Sequence, residues 1–379
     1  MSTESERVYL DHAAGAPLLP QAQVAMRRVW SLPGNPSSLH TAGRAARRVL
    51  EESRESLAEC LGAHPTEVVF TSGGTEANNL ALLGAADARP GRDRLVIGGA
   101  EHPSVAGVVE KLPGRVDVLA LDADGRVAPN AEAVIGSTTA LVSTMLVNNE
   151  TGVVQPLEGV RAAARAAGSW LHTDAVQAFG HMPLDFAALE VDAMTVTAHK
   201  LGGPVGIGAL VARRELALAA PGFGGGQERR LRSGTAMPAL ASGFAAAARV
   251  AVTGWYAEAS RLGELRRALV TGIAGIDRTA VNGAEPVSPA IVNVTFTGCR
   301  ADDMLLMLDA AGIDCSTGSA CTAGVHQPSE VLLAMGRSEA DAGASLRFSL
   351  GPSTDEVATH RLLAVLPDAV VRARAASAN

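Results

Sequence analysis

The chain has 379 residues, a formal net charge of −7 and four cysteines. This length suits two or three domains, and the acidic balance argues against direct binding of nucleic acids or membrane surfaces. Four cysteines in so long a chain do not form a disulfide framework. The N-terminal residues lack the apolar core of a secretory signal, and no apolar run is long enough to cross a bilayer. We therefore expect a cytoplasmic protein.

Prolines punctuate residues 1–40, which we predict to be irregular. Residues 41–62 predict an amphipathic helix that ends at a glycine. The apolar segment 68–70 predicts a short strand, and a glycine turn at 71–76 leads to a helix over 77–86. A strand, a glycine turn and a helix N-terminus favour a phosphate site, because free N–H groups and the helix dipole face the anion.

Short apolar strands then alternate with helical segments. Strands are predicted at 95–97, 116–119, 140–146, 170–172, 194–197 and 208–211. A helix over 157–167 ends at Gly168. This alternation predicts an α/β fold with a mostly parallel sheet, and such sheets bind ligands at the carboxyl ends of their strands.

An alanine-rich helix is predicted from residue 238 to about residue 273, where it carries the chain into a smaller α+β domain. The remaining predicted elements are strands at 291–296 and 345–349, helices at 301–311 and 329–335, a loop around Cys321 and a final helix from Thr354. The sequence therefore predicts a large sheet domain followed by a smaller one.

Lys200 and Asp174 follow predicted strands that neighbour each other in sequence. A lysine at a strand end, followed by glycines that let the backbone approach a ligand, suits a Schiff base to a carbonyl cofactor. An anion such as Asp174 beside a pyridine nitrogen keeps that nitrogen protonated, as pyridoxal phosphate requires. Taken alone, Lys200 fits a solvated lysine equally well, and Asp174 fits a helix N-cap better than a cofactor contact.

Cys321 lies among small, turn-forming residues, which predicts an exposed loop. A thiol in such a loop can reach a bound substrate and attack it as the thiolate. Cys315 precedes it at a spacing that matches no zinc site, and no metal site is predicted. We interpret Cys60, Cys299 and Cys315 as structural.

Two motifs, Asp174-x-x-Gln177 and Thr197-Ala198-His199-Lys200, resemble the cofactor core of the class V aminotransferase family. Within that family the chain is similar to the cysteine desulfurases of the NifS/IscS type. Further matching motifs, in chain order, are Tyr9-Leu10-Asp11-His12-Ala13-Ala14, Gly34-Asn35-Pro36-Ser37-Ser38, Thr71-Ser72-Gly73-Gly74-Thr75-Glu76, Glu101-His102, Asn148-Asn149-Glu150-Thr151-Gly152, Arg232-Ser233-Gly234-Thr235, Ser316-Thr317-Gly318-Ser319-Ala320-Cys321-Thr322 and Ser345-Leu346-Arg347-Phe348-Ser349.

The resemblance implies the aspartate-aminotransferase-like fold (fold type I) of enzymes that depend on pyridoxal 5′-phosphate. It implies a large cofactor-binding domain at 16–255 and a small domain formed by 1–15 and 256–379. The implied substrate is L-cysteine, and the implied assembly is a homodimer with its sites at the interface. The resemblance further implies that alanine leaves and that sulfur passes through a persulfide on Cys321 to an acceptor protein, such as an iron–sulfur scaffold or a thiolation enzyme. Iron–sulfur assembly, tRNA thiolation, DNA sulfur modification and a biosynthetic pathway all stay open as its destination.

The same resemblance assigns roles to individual residues. Lys200 binds the cofactor and abstracts the Cα proton, Cys321 is the nucleophile, and His102 stacks on the cofactor ring and moves protons. The other implied cofactor-binding residues are Gly74, Thr75, Asn149, Asp174, Gln177, Thr197, His199 and Thr235, the last reaching the cofactor of the partner subunit. The implied substrate-binding residues are Asn35, Asn149 and Arg347. Arg347 clamps the substrate carboxylate, with an ordinary ion pair as its alternative.

The sequence departs from the family pattern at one place, and two alternative functions stay open. Gly15-Ala16 stands where the family usually has two threonines, so the contacts at the entrance of the site are not assigned. A selenocysteine lyase, or another lyase with the same cofactor, is an alternative that turnover of selenocysteine distinguishes. A non-catalytic sulfur carrier on this fold is a remoter alternative, which binding of the cofactor excludes.

Overall fold

The computed structural model describes residues 7–318 and 327–377 of the chain. Its strands, in chain order, are β1 Val8–Tyr9, β2 Val68–Thr71, β3 Arg94–Gly98, β4 Val116–Leu119, β5 Thr139–Ser143, β6 Trp170–Asp174, β7 Ala193–Thr197, β8 Gly208–Ala212, β9 Thr279–Val281, β10 Ile291–Phe296, β11 Ile313–Asp314 and β12 Ser345–Ser349. Its α-helices are α1 Pro20–Trp30, α2 Thr41–Cys60, α3 Gly74–Ala88, α4 Pro103–Ala106, α5 Val108–Lys111, α6 Leu157–Ala167, α7 Phe186–Leu189, α8 Pro238–Ile273, α9 Ala301–Ala310, α10 Glu330–Ala334, α11 Glu339–Ala342 and α12 Glu356–Ser377.

Within the described residues, seven strands form the central sheet in the order β2-β8-β7-β6-β5-β3-β4. Strand β8 pairs antiparallel with β2 and β7, and the other neighbouring pairs are parallel. Helices follow β2, β3, β5 and β6, as the alternation in the sequence predicts. The predicted mostly parallel sheet is therefore confirmed.

Side chains along the central strands alternate between two apolar layers, because successive residues of a strand point to opposite faces. Val68 and Phe70 of β2 pack in a layer with residues of α2, α6 and α8. Val69 packs on the other face with residues of α3. Strands β5, β7 and β8 are buried along their whole length, which explains why they are not amphipathic in sequence.

A second apolar core surrounds an antiparallel sheet, which in the described part of the chain has the order β12-β10-β9. Helices α9 and α12 cover it. Helix α8 joins the two cores, since Ala241 packs in the first and Leu262 in the second. The N-terminal strand β1 pairs with β11 and so contributes Val8 to the second core. The domain limits at residues 15 and 255 stay a prediction, and the second of them falls inside α8.

Two predictions about the N-terminal region need correction. Residues 1–40 are not all irregular, because α1 occupies Pro20–Trp30. Pro20 stands at the start of this helix, where a missing N–H costs nothing and the fixed φ of proline suits the helix. Helix α3 begins at Gly74 rather than at residue 77, so the second glycine of the predicted turn already belongs to it.

No helix in residues 7–318 or 327–377 combines the length and the apolar character that crossing a bilayer requires. The longest, α8, is alanine-rich and carries charged residues such as Arg249 and Glu258. These charges fit a helix that packs against other protein segments and keeps one face in water.

Candidate active site

The ends of four central strands bring predicted site residues to one edge of the sheet. Asp174 is the last residue of β6, whose register pairs it with Thr195 on the neighbouring β7. Lys200 follows the end of β7, and the loops after β3 and β5 carry His102 and Asn149. Because the carboxyl ends of parallel strands meet at one edge, residues distant in sequence share this region.

The amine of Lys200 lies against the N-terminal segment, and the residue is half-buried. Nζ donates hydrogen bonds to the carbonyl oxygens of Ala13, at 2.6 Å, and Ala14, at 2.7 Å. Nε2 of Gln177 donates to the same Ala13 oxygen at 2.9 Å. Burial first, and then the charge of Arg347, lower the pKa of Lys200 to about 8. A larger share of this amine is therefore neutral near pH 7, and the neutral amine is the form that attacks an aldehyde.

A chain of hydrogen bonds joins Asp174 to His102 through two residues that the sequence analysis missed. Nδ2 of Asn78 donates to Oδ2 of Asp174 at 2.7 Å and to Oγ of Ser104 at 2.8 Å. Oγ of Ser104 lies 2.7 Å from Nδ1 of His102. Asn78 lies four residues after Gly74, a spacing that puts both on one face of α3. This spacing is the signal that could have identified it.

The hydrogen bonds of His102 determine which ring nitrogen carries the proton. The backbone N–H of Ser104 donates to Nδ1 of His102 at 3.0 Å, so Nδ1 is an acceptor. The proton of the neutral ring is therefore on Nε2. Burial lowers the pKa of His102, Asp174 opposes this shift, and the charge of Lys200 adds to it. The ring is thus a neutral imidazole near pH 7.

The N-terminus of α3 forms a cradle for an anion. Gly73 is the N-cap, and among the described residues no side chain caps the helix. A Cβ on Gly73 would meet no described heavy atom within 4 Å, so open space lies beside this N-terminus. Oγ1 of Thr197 and Nδ1 of His199 lie 3.1 Å apart, and burial is the main cause that lowers the pKa of His199 to about 4. Free first-turn N–H groups, the helix dipole and these polar side chains fit a phosphate.

Arg347 is buried and faces the same region from the second core. Its Nη1 donates to the carbonyl oxygen of Asn149 at 2.9 Å, and its Nη2 donates to Oδ1 of Asp11 at 2.7 Å. The side chain is only 4% exposed. Its Nε has no hydrogen-bond partner among the described residues. A buried guanidinium with an unused donor fits the binding of a carboxylate, although an ion pair with Asp11 is already present.

Two predicted site residues are not joined to this cluster, and a third is not among the described residues. Asn35 is exposed, and its Oδ1 accepts a hydrogen bond from the backbone of Ser37 in its own turn, at 2.9 Å. Thr235 is also exposed, and within the described residues its side chain makes no hydrogen bond to the cluster. Cys321 lies outside the described residues.

The other cysteines fit their structural interpretation. Cys60, Cys299 and Cys315 are free thiols, of which the first two are buried. Burial raises the pKa of Cys315 to about 12, which leaves this thiol protonated and unreactive. Across residues 7–318 and 327–377, no three His, Cys, Asp or Glu side chains are placed to share a metal ion.

A cavity of about 630 Å³ borders Lys200 and none of the other predicted site residues. Its walls are mainly apolar and include Pro17, Leu19, Val250 and Leu350. The cradle at α3 and the chain from Asp174 to His102 lie outside it. The polar cluster, rather than this cavity, is therefore the candidate reaction centre.

The model of the family Aminotransferase class-V matches residues 8–362. The chain belongs to the class V aminotransferase family. A curated member, named IscS-like cysteine desulfurase, from Mycobacterium tuberculosis, is 48% identical to this chain, and the alignment covers 97% of this chain and 98% of that protein. The predicted family is therefore confirmed.

Solved structures of similar proteins share the fold. A structure titled NifS-like protein has a TM-score of 0.90 at 31% identity, and the match covers 97% of this chain and 100% of that one. A structure titled SspA in complex with cysteine has a TM-score of 0.79 at 33% identity, covering 92% of this chain and 99% of that one. The predicted fold class is confirmed, and the comparisons support the predicted cysteine desulfurase activity and pyridoxal phosphate cofactor.

Proposed function

We propose that the chain is a cysteine desulfurase that uses pyridoxal phosphate to remove sulfur from L-cysteine. The observation that carries the proposal is the position of Asp174 at the end of β6 and of Lys200 after the neighbouring β7, beside the uncapped N-terminus of α3. The lowered pKa of Lys200 favours attack of its neutral amine on an aldehyde, and the cradle at the N-terminus of α3 fits the binding of a phosphate. Relatives that carry the name cysteine desulfurase support this choice of substrate.

When bound, pyridoxal phosphate supplies an electron sink for the electron pair left at the substrate Cα. Asp174 provides the negative charge that keeps a pyridine nitrogen protonated, and Asn78 orients its carboxylate. The N-terminus of α3 binds the phosphate together with Thr75, Thr197 and His199. These residues thus hold the two ends of the cofactor.

Lys200 takes the Cα proton of the substrate, since its lowered pKa makes the neutral amine available as a base. His102 would stack on the cofactor ring, and the proton of its imidazole is on Nε2. Arg347 and Asn149 bind the substrate carboxylate, because a guanidinium offers two parallel hydrogen bonds. Gln177 and Lys200 both donate hydrogen bonds to the carbonyl oxygen of Ala13, so Gln177 helps to hold that oxygen beside the amine.

Cys321 accepts the sulfur. Its thiolate attacks the substrate sulfur, so that a sulfur–sulfur bond forms while the bond from Cβ to sulfur breaks. The electron pair of the broken bond stays with the carbon Cβ, which takes up a proton. Return of the proton from Lys200 to Cα then gives alanine. The persulfide left on Cys321 then transfers its outer sulfur to an acceptor protein.

The proposal includes the assembly and the cellular location. Thr235 and Asn35 are exposed in a single protomer, so a homodimer gives them a place at the active sites, Thr235 at the phosphate of the other protomer and Asn35 at the substrate. The enzyme works in the cytoplasm, and the acceptor is an iron–sulfur scaffold or a thiolation enzyme.

Cys321→Ser in the cofactor-loaded enzyme tests the proposal. We expect this variant to keep the absorption of the bound cofactor but to form neither alanine from L-cysteine nor a persulfide detectable by mass spectrometry. Cys299→Ser removes a thiol outside the cluster and is the control that retains activity. Normal sulfur transfer by Cys321→Ser contradicts the choice of nucleophile, and failure of the wild-type chain to bind the cofactor contradicts the whole proposal.

A further inference from the structure

The turn at residues 148–152 is fixed by the side chain of its first residue. Oδ1 of Asn148 accepts hydrogen bonds from the backbone N–H groups of Glu150, at 2.9 Å, and Thr151, at 2.8 Å. Nδ2 of Asn148 donates to the carbonyl oxygen of Ala100 at 2.9 Å. Because Asn148 already accepts hydrogen bonds from these backbone N–H groups, the carboxyl group of Glu150 is available for contacts outside the turn.

Glu150 contacts both described flanks of residues 319–326. Oγ of Ser329 donates a hydrogen bond to Oε2 of Glu150. A Cβ placed on Gly318 would lie 3.3 Å from the same Oε2, so the carboxylate packs directly against this glycine. Nδ2 of Asn293 donates to the carbonyl oxygen of Glu150 at 3.2 Å. One buried side chain therefore touches the chain just before and just after the stretch that contains Cys321.

The same turn adjoins the proposed substrate-binding residues. Nη1 of Arg347 donates to the carbonyl oxygen of Asn149 at 2.9 Å, one residue before Glu150. The backbones of Arg347 and Ser316 also exchange two hydrogen bonds, at 2.6 and 3.1 Å. A continuous set of contacts thus runs from Arg347 through the turn to Gly318 and Ser329.

We infer that Glu150 is a positioning residue that holds Gly318 and Ser329 at a fixed distance from Arg347 and Asn149. A buried carboxyl group costs free energy unless it is hydrogen-bonded, and burial raises the pKa of Glu150. Its hydrogen bond with Ser329 offsets that cost. The inference rests on the proposed function, because fixing the two flanks matters for catalysis only if Cys321 must meet a substrate bound at Arg347.

The experiment compares Glu150→Ala and Glu150→Gln in the cofactor-loaded enzyme. In Glu150→Ala we expect iodoacetamide to alkylate Cys321 several-fold faster than in the wild type, as read by mass spectrometry. We expect kcat for alanine formation to fall by ~10-fold or more, because small displacements of a reacting group have effects of this size. KM for cysteine and the cofactor absorption should not change. Glu150→Gln keeps an acceptor for Ser329 and should restore most of both losses.

Ser329→Ala and Ser338→Ala form a matched pair. Ser329 caps the short helix α10 and Ser338 caps the short helix α11. Of the two serines, Ser329 is the one that also donates a hydrogen bond to Glu150. We expect Ser329→Ala to behave like Glu150→Ala and Ser338→Ala to behave like the wild type, so the pair decides the matter even if Glu150→Ala does not fold. Equal behaviour of the two serine variants, or wild-type alkylation and turnover in Glu150→Ala, overturns the inference. If Cys321→Ser keeps the activity of the wild type, the proposed function is contradicted instead of this inference.

Discussion

Asn78 donates a hydrogen bond to Asp174 across 2.7 Å, and this contact links helix α3 to the end of β6. The same amide reaches Ser104 at 2.8 Å, and Ser104 contacts the ring of His102. Asn78 and Asp174 are both buried, so the hydrogen bond is not weakened by competing water. One amide thus orients the carboxylate of Asp174 directly and the imidazole of His102 through Ser104.

Asn78→Ala removes the amide that orients Asp174. We expect the free energy of unfolding of the apoprotein to fall by about 1–3 kcal/mol, because a buried acceptor loses its donor. Urea denaturation measures this change, and fluorescence titration with pyridoxal phosphate should show weaker binding. Asn79→Ala is the control, since Asn79 bonds only to the carbonyl of Thr75 within the described residues. Equal losses in the two variants would show that the link to Asp174 has no special role.

The reactivity of Lys200 should rise with pH through a midpoint near 8. Burial lowers the pKa of this amine to about 8, so it is mostly protonated at pH 7 and mostly neutral at pH 9. Only the neutral amine is a nucleophile. Acylation of the apoprotein at a series of pH values, quantified by mass spectrometry, measures the midpoint.

The chain has just one other lysine, Lys111, which is exposed and serves as the comparison. The rate at Lys200 should level off above pH 8, whereas acylation of a lysine in water keeps rising through pH 9. If the two lysines respond to pH in the same way, the buried environment of Lys200 does not lower its pKa, and its proposed role as a base loses its support.

Much of the fold could be predicted from local signals. The bounds of α6 and β10 match their predictions, because a glycine ends α6 and a run of apolar residues forms β10. Helix α1 was missed because Pro20 was interpreted as a breaker, although proline also favours the first turn of a helix. A local pattern rich in proline therefore does not distinguish an interrupted segment from a helix start.

Some residues of the site could likewise be predicted from the sequence, and others could not. Lys200 and Asp174 could be found because their chemistry is distinctive and both follow strands. The spacing from Gly74 places Asn78 on the right face of α3, but its bond to Asp174 could not be predicted. Neither could the bond from Ser329 to Glu150, because both bonds join residues far apart in sequence. The role of Thr235 at a dimer interface and the role of Asn35 in substrate binding stay predictions.

Arg347→Lys tests the carboxylate clamp. Lysine keeps the positive charge but lacks the planar pair of donors, so we expect KM for cysteine to rise by about 10-fold or more. Steady-state alanine formation measures this. Arg266→Lys is the matched control on the second core, where Nε of Arg266 donates to the carbonyl of Ile291 at 3.2 Å. A rise in KM of the same size in both variants would assign the effect to the fold rather than to the clamp.

The segment before Thr235 is held by a buried ion pair between Arg54 and Glu228. Two guanidinium nitrogens of Arg54 lie 2.7 Å from the two oxygens of Glu228, and the Glu228 side chain is 3% exposed. Glu228, Arg229 and Arg230 all have left-handed backbone conformations, with φ of 43°, 58° and 62°. Such residues cost about 1–2 kcal/mol each, so the segment needs an anchor to keep this shape.

Glu228→Gln removes that anchor's charge. We expect the free energy of unfolding to fall by up to about 3 kcal/mol, because the buried Arg54 loses its buried partner and keeps only the half-exposed Glu51. Trypsin should also cleave faster after the exposed Arg229 and Arg230 under native conditions, as followed by mass spectrometry. Asp117→Asn breaks the half-exposed pair with Arg94, and it should cost less than about 1 kcal/mol and leave those cleavage rates unchanged. Unchanged cleavage in Glu228→Gln would mean that the backbone alone holds the segment. The position of Thr235 would then not depend on the ion pair with Arg54.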